Sequence, residues 1–281
     1  MEKTLKKYFP IFVLPTLIAF LIAFIGPFIT GLYLSFCDFT TISNATFVGL
    51  ENYIKAFSSG QRFVEAFGFT TLFTIISIVT VNIIAFTLAY LLTKKIKGTN
   101  FFRTVFFMPN LIGGIVLGYT WQSMINAVLS NYGTTLVADS KYGFIGLIML
   151  MNWQMIGYMM IIYIAGLQNV PTELIEAAKI DGATKWQTLR HVTIPMVMPS
   201  ITICLFLTLS NSFKLYDQNL ALTAGAPMHK TEMLALNIVN SFYGRVGFEG
   251  VGQAKAVVFF VIVAVIALTQ LYFTRNKEVE Q

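Results

Sequence analysis

Six apolar runs, at about residues 11–36, 68–92, 104–125, 143–168, 199–215 and 254–274, leave this chain few ways to fold. A helix needs roughly 20 apolar residues to cross a bilayer, where no water can satisfy a bare backbone. Each run reaches or nearly reaches that length. The fifth is the shortest and ends in Lys214 and Asp217. Composition agrees, with 56% hydrophobic residues and only 11% charged ones, against roughly 25% charged in soluble domains. The expectation is an all-α membrane protein of six transmembrane helices, forming one domain over residues 1–281.

The first run follows Lys3, Lys6 and Lys7, as a signal peptide would. It is too long for a signal h-region and lacks a small-x-small exit, so an uncleaved first span is expected. Pro15, Gly26 and Pro27 inside it predict a bent helix. Between the second and third runs stand Lys94, Lys95, Lys97 and Arg103 with no acid. Six crossings put that basic loop, residues 171–199 and both termini on one side, which also holds Lys179, Lys185, Arg190, Arg275 and Lys277. The positive-inside rule makes that side, and both termini, cytosolic. Residues 37–67 and 216–253 are then extracytoplasmic loops. This distribution explains the net charge of +6 without a nucleic-acid partner. In the first outer loop Leu50, Tyr53, Ile54 and Phe57 have helical spacing, which predicts a short helix at the membrane surface.

The chain carries little chemistry of its own. It has no phosphate-binding loop of the G-x-x-x-x-G-K-[ST] type. The centres of the runs lack Asp and Glu, so no proton relay is visible. His191 and His229 have no Cys or acid at metal-ligand spacing. Cys37 and Cys204 sit in or beside apolar runs and read as small buried hydrophobes. No enzymatic activity and no cofactor in this chain are expected.

The most polar long segment between apolar runs is 171–199. Thr172 is placed as an N-cap, with Glu173 and Glu176 where acids favour the positive end of a helix. Asp181-Gly182 breaks that helix, because Gly accepts turn angles without steric cost. Thr184 to Gln187 fits a capping box for a second helix, and Pro195 and Pro199 end the unit. Two readings follow: a solvated loop that is helical, or a lever whose Leu174, Ala177, Ala178 and Ile180 meet a partner that moves it.

Glu176-Ala177-Ala178-Lys179-Ile180-Asp181-Gly182-Ala183, followed by Val192, Pro195 and Pro199, resembles the EAA loop of ABC-importer permeases. Ile194 and Leu189 replace residues common in that pattern with similar ones. Residues 47–53 and 222–227 resemble outer-loop signatures of carbohydrate permeases, although Gly225-Ala226-Pro227 stands where Gly-Gly-Pro is commoner. Trp186-Gln187 and the tail 275–280 look like the maltose or multiple-sugar type of first permease.

The resemblance implies a multi-pass subunit of the bacterial cytoplasmic membrane, forming half of a sugar importer. Its implied partners are a second permease in a heterodimer, two nucleotide-binding subunits that hold ATP and Mg, and an extracytoplasmic solute-binding protein. Glu176, Ala177, Ala178, Asp181 and Gly182 then form the contact with the ATPase. Permeation of another polar solute, such as a glycerol phosphate, is the alternative within the class. An ion-coupled secondary transporter is the alternative outside it, and lacks the expected midplane acids and inverted repeats.

Sugar sites combine aromatic faces with amides and hydroxyls. On the resemblance, ligand-lining positions fall on Asn110, Gly114, Met151, Gln154, Met155, Tyr158, Thr208, Asn211, Ser212 and Leu215. Asn152, Trp153 and Lys214 belong to the same polar clusters, and Trp121 and Gln122 are candidates at the outer end. Each amide faces either a cavity or another helix, since bare amides in lipid are costly. Lys214 and Asp217 are spaced to pair as i and i+3.

Overall fold

The computed structural model describes residues 2–94 and 97–275, with side chains from residue 9. Lys95, Lys277 and residues 276–280 of the tail lie outside the described residues, as do the side chains of Lys3, Lys6 and Lys7. The described chain is mostly helical. Four helices are long and apolar enough to cross a membrane, at Phe9–Leu34, Phe63–Leu92, Ser140–Gln168 and Glu249–Arg275. Two further spans form only if each of two bent helix pairs counts as one.

The bends lie within the third crossing and at the start of the fifth. The third splits into Thr99–Leu111 and Gly114–Tyr132, at 101° to each other. Pro109 offers no N–H to an α-helix, a 3-10 turn covers Met108–Leu111, and Ile112 turns extended before Gly113. The fifth joins Lys185–Met196 to Met198–Phe213 at 71°. Here Pro195 and Pro199 each stand in the first turn of a new helical segment.

The chain clusters into two compact units. The first comprises Met1–Phe63 and Ile238–Phe260. In it α1 (Glu2–Phe20) passes through a π-helical segment, Leu21–Ile25, into α2 (Gly26–Leu34). The π register follows from Pro27, which cannot donate to residue 23 and crowds its carbonyl. Two short antiparallel strands follow, β1 (Cys37–Asp38) and β2 (Thr46–Phe47), then α3 (Glu51–Ala56). The buried Asn52 amide donates to the Ser35 and Cys37 carbonyls at 3.1 and 2.8 Å. The Tyr53 hydroxyl lies 2.6 Å from Ser35 Oγ. The Asn-Tyr pair therefore stitches α3 to the end of α2, while Phe47, Leu50 and Ile54 stay exposed. On the solvent side the Glu51 carboxylate, 2.7 Å from Lys55, holds that ammonium pKa above its ordinary value. Lys255 is fully buried and donates to the Gln61 carbonyl and side-chain oxygen and to Ser241 Oγ, at 3.2, 3.2 and 2.6 Å.

The second unit comprises Val64–Asn237 and Val261–Gln281. Its elements are α4 (Phe63–Leu92), α5 (Thr99–Phe107), α6 (Gly114–Leu129), α7 (Ser140–Gln168), α8 (Thr172–Ile180), α9 (Lys185–Thr188), α10 (Ile194–Met196), α11 (Met198–Phe213) and α12 (Asp217–Leu222), while α13 (Leu234–Tyr243) has residues in both units. The last helix, α14 (Glu249–Arg275), has residues in both units. Leu147, Leu150, Met159 and Tyr163 of α7 form the core with Phe73, Val81 and Ala85 of α4. Gly157 lets α7 meet α5 backbone to side: a Cβ there would overlap the Phe106 carbonyl. In α6, Gly114 and Gly118 do the same for α12, against Asp217 and Ala221.

One polar network crosses this core. The Tyr163 hydroxyl donates to Asn82 Oδ1 at 2.7 Å, and Asn82 Nδ2 donates to Thr208 Oγ1 at 3.2 Å. It ties α4, α7 and α11 together where apolar packing alone would leave their rotation free. Asn82→Leu removes two interhelical bonds and strands the Tyr163 hydroxyl. A loss of about 2 kcal/mol is expected, read as a lower thermal midpoint in detergent; an unchanged midpoint would contradict the role.

Candidate functional site

Two faces meet around a cavity of about 700 Å³ in the second unit. Met151, Gln154, Met155 and Tyr158 recur on α7 at i, i+3, i+4 and i+7, the spacing of one helix face. Leu207, Ser210, Asn211 and Lys214 repeat that spacing on and just beyond α11. Asn110, from the break between α5 and α6, and Leu215 to Gln218, where α11 passes into α12, complete the lining.

A chain of amides crosses this space. Gln218 Nε2 donates to Gln154 Oε1 at 2.7 Å, and Gln154 Nε2 donates to the Ile112 carbonyl at 3.3 Å. Gln154 thereby holds a carbonyl freed where the helix breaks, and it orients Gln218. The Tyr158 ring lies 6.5 Å from that of Phe107, which fixes its face. Lys214 and Asp217 are the lining residues that carry charge, one of each sign. They do not pair as a helical i, i+3 couple would: Lys214 ends α11, and Tyr216 caps α12 before Asp217. An amide can donate and accept, an aromatic face packs on ring C–H groups, and a neutral charge sum repels no uncharged guest. This arrangement suits a polyhydroxyl compound of small molecular size.

The residues expected at a sugar site separate cleanly. Asn110, Met151, Gln154, Met155, Tyr158, Asn211 and Leu215 come together on the cavity wall. Gly114 stands behind it, where a Cβ would lie 2.8 Å from the Asp217 Cβ, and so sets the approach of α12. Asn152 bonds back to the Ile148 carbonyl at 2.8 Å. Thr208 is engaged with Asn82 and the Cys204 carbonyl, and Ser212 is buried off the wall. Trp121 meets Trp153 edge to face with ring centres 5.7 Å apart, and Gln122 Nε2 donates to the Leu222 carbonyl at 2.9 Å.

Gln218, Tyr216, Phe206, Leu207 and Ser210 are the lining residues that sequence reasoning did not reach. Helical spacing from Asn211 would have found Ser210 and Leu207. Gln218 gives no such signal, because it lies beyond the end of the apolar run. Also unforeseen was Asn219, fully buried, whose amide reaches Thr223 Oγ1 and the Thr231 carbonyl while its Oδ1 accepts from Met233 N–H. It folds residues 223–233 back onto α12.

The 171–199 stretch forms the other prominent feature. Thr172 is the first helical residue of α8, and Pro171 takes the cap position without a side-chain bond, in place of the expected Thr172 cap. The helix ends in a Schellman motif, with Ala183 N–H on the Ala178 carbonyl at 2.9 Å and Gly182 N–H on Lys179 at 3.1 Å. Gly182 has φ +78°, a left-handed angle that costs other residues. Thr184 and Gln187 make the expected capping box ahead of α9. Glu176, Ala177, Asp181 and Gly182 are exposed and Ala178 is half-buried. Ile180 is 86% and Trp186 65% exposed, a pair of apolar tips on an otherwise polar ridge. Ile175 points the other way and packs on the core, anchoring α8.

Residues 99–278 match the family model described as "Binding-protein-dependent transport system inner membrane component". Over 96% of this chain and 94% of the relative, the sequence is 44% identical to the "Probable starch degradation products transport system permease protein AmyD" of Thermoanaerobacterium thermosulfurigenes. It is 31% identical to the "Multiple sugar-binding transport system permease protein MsmF" of Streptococcus mutans, over 99% of each. A chain in the crystal structure of a bacterial ABC transporter that imports the acidic polysaccharide alginate superposes with a TM-score of 0.82, at 22% identity and over 98% of each chain. The chain belongs to the family of inner-membrane permease components of binding-protein-dependent transport systems.

Proposed function

We propose that this chain forms half of the pathway of an ATP-driven importer of sugars, chiefly neutral oligosaccharides. The cavity carries this reading: amides from four elements and an aromatic face converge there with one Lys and one Asp. Asn110, Gln154, Tyr158, Asn211 and Leu215 contact the sugar directly. Gly114 and Thr208 set the helices that carry them, and Asn152 and Ser212 lie behind the wall.

Residues 171–199 form the cytosolic coupling loop, and Glu176, Ala177, Ala178, Asp181 and Gly182 meet a separate ATPase subunit that binds ATP and Mg. In support, the C-terminal ends of α4 and α7 line one cavity together with α8, so the basic loop and the coupling loop share one end of the unit. Both termini join them in the cytosol, and residues 37–67 and 216–253 face the solute-binding protein outside. The whole chain then acts as one permease domain beside a second permease. Closure of two ATPase subunits moves α8, and the spans shift between inward- and outward-open states according to which state binds the ligands better.

The test is uptake into proteoliposomes by the assembled transporter, with and without ATP and the binding protein. Uptake by this chain alone, driven by an ion gradient, would sink the proposal. Gln154→Met keeps the volume but loses both amide bonds, and about a ten-fold drop in uptake is expected. Undiminished uptake in that variant would remove the cavity from the pathway.

A further inference from the structure

A second cavity of the same unit, about 560 Å³, opens where α4 and α7 end. Lys94, Lys179 and Lys185 line it, and no Asp or Glu does. Among the described residues none of the three lysines is in an ion pair; Lys94 lies 4.2 Å from the centre of the Tyr90 ring. Thr93, Thr172, Thr188 and Thr193 add hydroxyls to the wall. Like charges gathered on one concave surface repel unless an anion joins them.

Tyr90, Leu167, Val170, Ile175 and Leu189 add apolar surface to the same cavity. Position explains the mixture. The apolar run of α4 stops at Leu92 and that of α7 at Leu167, so the cavity straddles the change from apolar to polar chain. Headgroups of a bilayer lie at that depth, and basic pockets between transmembrane helices bind anionic ones. A carboxylate from a docked protein would satisfy the lysines but leave the lining of Tyr90, Leu167 and Ile175 without an apolar partner, which a lipid supplies.

We propose that this cavity binds a phosphate-bearing ligand, with its phosphate among Lys94, Lys179 and Lys185 and its apolar part against Tyr90, Leu167 and Ile175. An anionic phospholipid and a soluble phosphate share this chemistry, and binding can tell them apart. Native mass spectrometry of the full-length chain in detergent would count bound phosphatidylglycerol against phosphatidylcholine. At least a ten-fold preference for phosphatidylglycerol is expected. It should disappear in Lys94→Gln/Lys179→Gln/Lys185→Gln and persist in the corresponding triple Arg variant, which keeps the charge. Stabilisation by millimolar inorganic phosphate, seen in the wild type and absent from the Gln variant, would support the soluble source.

The proposal is overturned if neither probe distinguishes the wild type from the Gln variant while both show the same thermal midpoint. It is equally overturned if lipid and phosphate binding persist in the Gln variant and only co-purification of the ATPase subunit is lost, since the lysines then serve protein docking. Binding is read here without transport, so the result stands apart from the importer assignment.

Discussion

Gly157→Val is expected to yield no stable protein. A Cβ at this position would overlap the Phe106 carbonyl and lie 2.8 Å from the Phe107 nitrogen. Both obstacles are backbone, so no rotamer change can relieve them, and α5 must retreat from α7. That retreat also carries away the break at Ile112 and the amide chain anchored on it. The cost is at least about 3 kcal/mol, the range of overpacked cores and beyond. The measurement is the yield of monodisperse protein and its thermal midpoint in detergent. Gly68→Val on the exposed face of α4, where no atom lies within 4 Å of the added Cβ, is the control and should stay within about 1 kcal/mol of wild type. Equal behaviour of the two variants would refute the close crossing.

The second large effect is functional and leaves the fold in place. At Gly182 an added side chain meets nothing within 4 Å, so the penalty of Gly182→Val comes from the left-handed φ alone, about 1–2 kcal/mol. That local cost undoes the Schellman turn and lets the end of α8 fray. The global midpoint should barely move, because α8 is exposed apart from Ile175 and Ala178. ATP-driven uptake should nevertheless fall at least ten-fold while ATP hydrolysis continues, if the loop transmits motion as proposed. Normal uptake in a normally assembled variant would disprove the lever.

Much of this was legible in the residues themselves. A span is a sum over some 20 side chains, so single errors average out, and the four unbroken spans appear where hydropathy places them. The bends depend on single residues instead. Pro109 and the Gly113-Gly114 pair are visible in the sequence, yet apolar neighbours mask them in any window long enough to detect a span. The 171–199 loop was readable for the opposite reason: Gly182 and the Thr184–Gln187 box act through local bonds that sequence spacing encodes directly.

The cavity was legible by half. Asn110, Gln154, Tyr158 and Asn211 were expected there as polar groups on apolar helices, and they meet. Thr208 and Ser212 have the same chemistry but sit about 100° round α11 from the wall-lining Leu207 and Asn211. Composition cannot tell those faces apart without a partner for each. Gln218 depended on the close approach of α12 to Gly114, a long-range contact without local signature.

Met151 and Met155 occupy adjoining turns of the cavity wall on either side of Gln154. Their unbranched thioethers can be re-moulded around guests of different outline while the helix stays still. A wall of this kind fixes a guest at a few hydrogen-bonding points and leaves the rest of its contour undefined. If the cavity is the pathway proposed above, stringency is set before cargo reaches the membrane, by the solute-binding protein, and one channel can serve a mixture of chain lengths.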